Sequence, residues 1–280
     1  MADALRSASG WRAELALSFE RRGPRTVLAR ERHTGPMLIQ KALYPEGPSP
    51  CHAIVLHPPA GIAAGDSLSL GVACADDAEV LVTTPGATRW YRSTLATAAS
   101  ETRLVLAPGS MLEYLPREAI VFDGARARAV LEIDAAAGAR ALGWDLWCLG
   151  RTAAGERFRS GRLELATRLS VDGRIRWEER GVIDGDAPLL TAAAGFDAQP
   201  VFGTLWAIGP ELARADLDAC RALSPAGTGR AAITQLPGVL LGRYLGPSTE
   251  TAFAWFTALW SLLRPACLGR QPVLPRIWSA

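Results

Sequence analysis

Alternation of apolar and polar side chains, closed off again and again by Gly or Pro, constrains this chain more than any other feature. The segment Trp11 to Phe19 alternates, as do Thr26 to Arg32, Ser67 to Val72, Glu79 to Thr83, Arg126 to Ile133 and Arg162 to Leu169. A period of two sends successive side chains to opposite faces of a sheet, so each run predicts a half-buried strand. Between the runs stand Gly35-Pro36, Pro45-Glu46-Gly47-Pro48, Pro85-Gly86, Pro108-Gly109 and Asp172-Gly173. Gly admits positive φ and Pro pre-sets φ, which makes these segments turns. Many short strands joined by such turns indicate an all-β protein.

Two segments depart from the pattern. Glu211 to Leu223, after Pro210, places Leu212, Ala215, Ala219 and Leu223 at helical spacing. In the second helix Ser248 is the cap, Glu250 favours the dipole of the first turn, and Pro265 is the stop after Arg264. Phe253, Phe256, Trp260 and Leu263 share one face, which is expected to pack on the sheet. No linker, low-complexity tract or internal repeat divides residues 1–280, so one domain is expected.

Composition then excludes whole classes of function. With 30 basic and 28 acidic residues, the formal net charge is +2. Such a balance exerts no long-range pull on nucleic acid or an anionic membrane. The five cysteines (Cys51, Cys74, Cys148, Cys220, Cys267) are scattered and odd in number, unlike a disulfide framework. The leading MADALRSASGWRAEL has no apolar core or cleavage site, and no apolar run reaches the roughly 18 residues of a membrane span. A cytoplasmic, soluble protein is expected.

Catalytic motifs are not visible. There is no Gly-x-Ser-x-Gly elbow, phosphate loop, dinucleotide fingerprint or HExxH, and Asp184-Gly185-Asp186 lacks the rest of a calcium loop. The three histidines are His33, His52 and His57. Cys51, His52 and His57 are the soft-metal candidates, since Cys and His suit zinc, copper and nickel. The run Cys51 to His57 reads as a strand, however, with Cys51 and His57 on one face and His52 on the other. Positions six apart on a strand are separated by roughly 20 Å, too far to share an ion. Among the carboxylates, Asp66 closes the Gly-rich segment Pro58 to Gly65, Asp145 interrupts the apolar run Gly143 to Trp147, and Glu179 follows Trp177-Glu178. An acid in an apolar strand needs a partner or a wet cavity. Asp145 is therefore either a buried partner for an arginine or the lining of a polar passage for a hard or borderline cation.

Longer motifs carry a resemblance. Gly35 to Lys41, Leu43 to Glu46, Cys51 to Pro59, Gly61-Ile62, Gly65-Asp66 and Thr83 to Ser93 (TTPGATRWYRS) occur in that order. Leu112 to Glu118 (LEYLPRE), Gly143-Trp144-Asp145, Leu149-Gly150-Arg151, Leu263-Arg264-Pro265 and the closing Pro275 to Trp278 (PRIW) follow. The set resembles the urease accessory protein UreD family (UreH in some organisms) across nearly the whole chain. One departure stands out: where the family has PPGGIxGGD, this chain has Ala60 and Ala64 in place of glycines. If either position needs positive φ, alanine costs on the order of 1 kcal/mol or more.

The resemblance implies a β-helix-like stack of strands with two helices, and a protein that is not an enzyme. It implies a scaffold that joins UreF and UreG, a GTP-hydrolysing nickel carrier, to apo-urease, with nickel in transit through an internal tunnel and no cofactor permanently bound. Asp66, Asp145 and Glu179 are the expected tunnel lining. Two other readings stay open on the residues: a metal-dependent hydrolase built on His52, His57 and Asp66, and a carbohydrate-binding β-helix, suggested by the nine tryptophans.

Overall fold

Each alternating run is a strand, and the strands coil. A computed structural model of the chain describes residues 10–94, 96–209 and 211–279; most of the leading segment, and Pro210, lie outside them. The first coil comprises β4 (Cys51–Leu56), β5 (Gly61–Ile62) and β6 (Ser67–Cys74). The second is β7 (Glu79–Thr83), β8 (Thr88–Trp90) and β9 (Ala98–Leu106), and the third β10 (Met111–Leu115), β11 (Ala119–Val121) and β12 (Arg126–Ala135). A last coil runs from β13 (Arg140–Leu149) to β14 (Arg162–Val171). Before them stand β1 (Arg12–Arg22), β2 (Arg25–Thr34) and β3 (Leu38–Leu43). After them come β15 (Arg174–Asp184), β16 (Val201–Ile208), β17 (Arg230–Leu236) and β18 (Val239–Gly246).

Coiling brings the third strand of each turn into one sheet and the first into another. The seven-stranded sheet runs β15-β14-β12-β9-β6-β1-β2, parallel from β1 to β14. The second runs β17-β18-β16-β13-β10-β7-β4-β3, parallel from β4 to β13. Short β5, β8 and β11 form a parallel side ladder that joins β13. Antiparallel partners close both ends, so the stack is a β-solenoid with capped edges.

Parallel register puts like on like. Leu17, Val72, Leu104, Ile133 and Leu169 lie side by side across five strands, all buried between the sheets. Each such side chain contributes about 1.5–3 kcal/mol when fully removed from water. The corners from β6 to β7, β9 to β10 and β12 to β13 also repeat. Ala78, Ser110 and Ala139 donate their N–H groups to Ala75, Ala107 and Ala136, with positive φ at Asp77, Gly109 and Gly138. The third turn position needs that φ, which Gly and Asp tolerate best.

The helices cover the outer face of the second sheet. In α2 (Thr249–Leu263) the Ser248 hydroxyl accepts from the Thr251 N–H at 3.3 Å and Glu250 lies in the first turn, as the capping pattern predicts. Phe256, Trp260 and Leu263 are buried, but so are Ala252, Trp255 and Leu259; α2 is enclosed on more than the one expected face, and Phe253 is only partly buried. The chain also continues past Pro265 into a π turn, Arg264–Leu268, ending at Gly269 with φ 68°. Pro265 sits at the start of that turn, where no N–H is needed. The first helix is shorter than expected, α1 (Arg214–Ala222), with Cys220 its one buried residue.

Other expectations resolve simply. Asp184-Gly185-Asp186 ends β15 in a turn. All five cysteines are buried and free. No helix among the described residues is long and apolar enough to cross a membrane.

Candidate functional site

Small side chains on the facing sheets leave space between them. Trp206 fills the room over Gly143, where a Cβ would stand 2.2 Å from its ring, and the open space lies farther along, against Asp145 and Thr204 of the second sheet. Opposite them, Ser100, Thr102, Ala129, Thr167 and Gly181 come from β9, β12, β14 and β15. The result is a cavity of about 380 Å³ between the two sheets. At about 30 Å³ per molecule, it has room for roughly a dozen waters.

Asp145 faces this cavity from the middle of β13. It pairs in register with Thr204 on β16, which pairs with Arg243 on β18, so the three form a row across the sheet. The Asp145 Oδ1 accepts from the Thr204 N–H at 3.3 Å. Burial pushes the carboxyl up to about 7, against the Thr204 N–H and the Arg243 charge and with help from the negative Glu179. The carboxyl is enclosed by protein yet touches the open space of the cavity, so it is half-buried by accessibility. Nearby, burial raises the Tyr114 phenol; a bond to Thr102 opposes the rise and the Asp145 charge adds to it.

Glu179 lines the same cavity at its mouth. Its Oε1 accepts from Arg243 Nη1 at 2.8 Å, with both side chains nearly half exposed, so the pair links the edge of one sheet to the other. Trp90 also lines the space; it is buried, and its indole N–H has no hydrogen-bond partner among the described residues.

Asp66 lies elsewhere. Its carboxylate accepts from the Trp11 and Ala63 N–H groups, both at 2.8 Å, and so ties β1 to the Pro58–Asp66 loop. In that loop Ala60 does adopt the left-handed region, φ 58°, whereas Ala64 does not. Asp145 and Glu179 are thus brought together and Asp66 is not.

The hydrolase constellation fails on geometry. His52 points to the outer face of β4, where Nε2 lies 2.9 Å from Glu46 Oε1, while His57 stands beyond the strand end within the field of Asp66. Burial lowers the His57 imidazole, and Asp66 opposes this. Among the described residues no group of three His, Cys, Asp or Glu side chains could share a metal ion. The carbohydrate reading fails as well: Trp11 is exposed, whereas Trp90, Trp144, Trp147, Trp177, Trp206, Trp255 and Trp260 are buried and form no exposed row.

Sequence reasoning missed a second polar cluster, on the outer face of the second sheet. Arg264, fully buried, donates through Nε and Nη2 to Glu113 at 2.9–3.2 Å and through Nη2 to Glu46 at 2.8 Å. Trp260 Nε1 donates to Glu113 at 2.6 Å. Burial raises the Glu113 carboxyl against Arg264 and Trp260, yet both its oxygens accept only from N–H donors, which suits the carboxylate. Burial also acts to raise Glu46, but His52 and Arg264 outweigh it and hold that carboxyl low. Trp278 completes the cover: it donates to Thr83 Oγ1 at 2.9 Å and packs on Trp144, Phe253 and Trp260. A charge inside each of two apolar runs, Glu113 in MLEYL and Arg264 after SLL, was the available signal.

Fold and site together define a capped β-solenoid with an internal chamber that carries a single enclosed carboxyl and an ion pair at its mouth. The comparisons with known proteins sharpen that class. The family model described as UreD urease accessory protein matches residues 12–279. The urease accessory protein UreD of Dechloromonas aromatica (strain RCB) is 50% identical over 96% of this chain and 94% of its own length. That of Azoarcus sp. (strain BH72) is 47% identical, with the same coverage. That of Pseudomonas aeruginosa (strain PAO1) is 46% identical over 96% of this chain and 95% of its own. The chain belongs to the UreD urease accessory protein family.

Proposed function

We propose that this chain is a non-catalytic scaffold for urease maturation that guides nickel toward the apo-enzyme through the space between its two sheets. In this reading it acts in complex with UreF and UreG, and nickel is cargo that passes without staying. The observation that carries the reading is Asp145, an acid in an apolar strand that faces an internal chamber instead of a counter-ion. A conduit must hold a cation weakly enough to release it. One enclosed carboxyl with hydroxyls around it, and Glu179 at the mouth, suits that demand better than a closed three- or four-ligand site, which retains its metal. Asp66 belongs to loop structure and is left out of the lining.

Co-expression of the chain with UreF, UreG and urease, followed by metal analysis of the purified urease, tests this. Asp145→Ala combined with Glu179→Ala is expected to lower nickel per urease while UreF and UreG still co-purify with the chain. Unchanged nickel content would remove the conduit, and normal ureolysis in cells lacking the chain would remove the scaffold.

A further inference from the structure

We propose that Arg243 is the gate of this conduit: its guanidinium, paired with Glu179 across the mouth, keeps divalent cations out of the chamber until it is drawn aside. The proposal rests on the conduit reading and adds a residue to it. Arg243 ends the row Asp145, Thr204, Arg243 on the inner face of the second sheet, so it lines the same space as the enclosed carboxyl on its solvent-exposed side. Its partner Glu179 comes from β15, the edge strand of the other sheet, and Nη1 to Oε1 is 2.8 Å.

Two consequences follow from that placement. One of the two Glu179 oxygens, Oε1, is already engaged by a positive charge. A divalent ion entering beside this pair therefore meets the guanidinium along with a half-engaged carboxylate, in a space that Arg117 and Arg180 also line, and like charges at close range repel. The closure is also weak enough to open. Both partners are nearly half exposed, and exposed pairs of this kind contribute little and are screened by salt. The guanidinium also has a neighbouring aromatic face, Trp177, 6.0 Å from its ring centroid, on the same strand as Glu179. An acidic side chain on a docked partner would compete with Glu179 for Arg243 and free both the oxygen and the passage.

Tryptophan fluorescence reads the gate directly, because Trp90 and Trp147 line the chamber and a transition-metal ion reaching it quenches them. The full chain is mixed with nickel ions at low ionic strength, and the quenching rate is compared between wild type and variants. Arg243→Gln is expected to quench ~10-fold faster, Arg243→Met likewise, and Arg243→Lys, which keeps the charge, within about twofold of wild type; added salt should narrow the gap. Neutral variants that quench no faster than wild type overturn the gate. So does Arg243→Lys behaving like Arg243→Gln, which would reduce Arg243 to a packing role. If the gate fails while the Asp145→Ala, Glu179→Ala pair still lowers urease nickel, the conduit survives without it; if that pair has no effect, the conduit itself falls.

Discussion

Asp145→Asn isolates the energetic consequence of enclosing one carboxyl between two sheets. The amide has nearly the same shape and can still accept from the Thr204 N–H. In the folded chain burial moves the carboxyl from 3.8 to about 7. At 1.36 kcal/mol per pH unit this shift sets an upper bound of about 4 kcal/mol on the destabilisation when the group is ionised. The carboxyl is only half-buried, so solvent screening reduces this to about 1–3 kcal/mol. The sign follows from linkage: a carboxyl raised on folding holds its proton longer in the native state. Its contribution to stability is intact below pH 4 and is lost as pH rises through 7. Asp145→Asn should therefore match wild type below pH 4, begin to exceed it by pH 4.5 and melt higher at pH 8.5, by roughly 2–12 °C at about 2–4 °C per kcal/mol. Thermal unfolding of the full chain across that pH range is the assay. A difference between the two proteins that stays flat from pH 4.5 to 8.5 would refute the reasoning, because no titration would then separate them.

Two further outcomes are expected. Arg264→Met leaves Glu113 and Glu46 buried without their cation and should destabilise the chain by about 3–5 kcal/mol in urea unfolding; adding Glu113→Gln should recover part of it, and a loss under about 1 kcal/mol would count against the network. Ala60→Gly relieves a left-handed alanine, a gain of about 1–2 kcal/mol, less about 0.4–1 kcal/mol for the looser unfolded chain, so a small rise in melting temperature is expected and a fall would show that the loop does not bear this strain.

Strands and turns were legible because their causes are local. Alternation along Arg126 to Ile133 or Arg162 to Leu169 reports a two-faced sheet whatever lies next to it, and Ser248 with Glu250 marks a helix start within four residues. Coiling was harder to see, since the register that stacks Leu17 on Val72 and Leu104 is set between segments of unequal length. The repeated corner signal was present at Ala75 to Ala78, Ala107 to Ser110 and Ala136 to Ala139, but only four residues long each time. Asp145 was legible as an acid in an apolar strand, whereas its chamber depends on Ala129, Thr167 and Gly181 meeting from three strands. The Glu46, Glu113 and Arg264 cluster joins positions 151 and 218 residues apart, a distance no pattern along the chain encodes.

Arg264 also dictates when the molecule can be finished. During synthesis the turn bearing Glu46 and the strand bearing Glu113 leave the ribosome long before the guanidinium that pairs with both, and the tryptophan that reaches Thr83 follows later still. Until those residues arrive, Glu113 lacks its cation and the outer face of the second sheet lacks its cover, so that face closes only when the α2 segment docks.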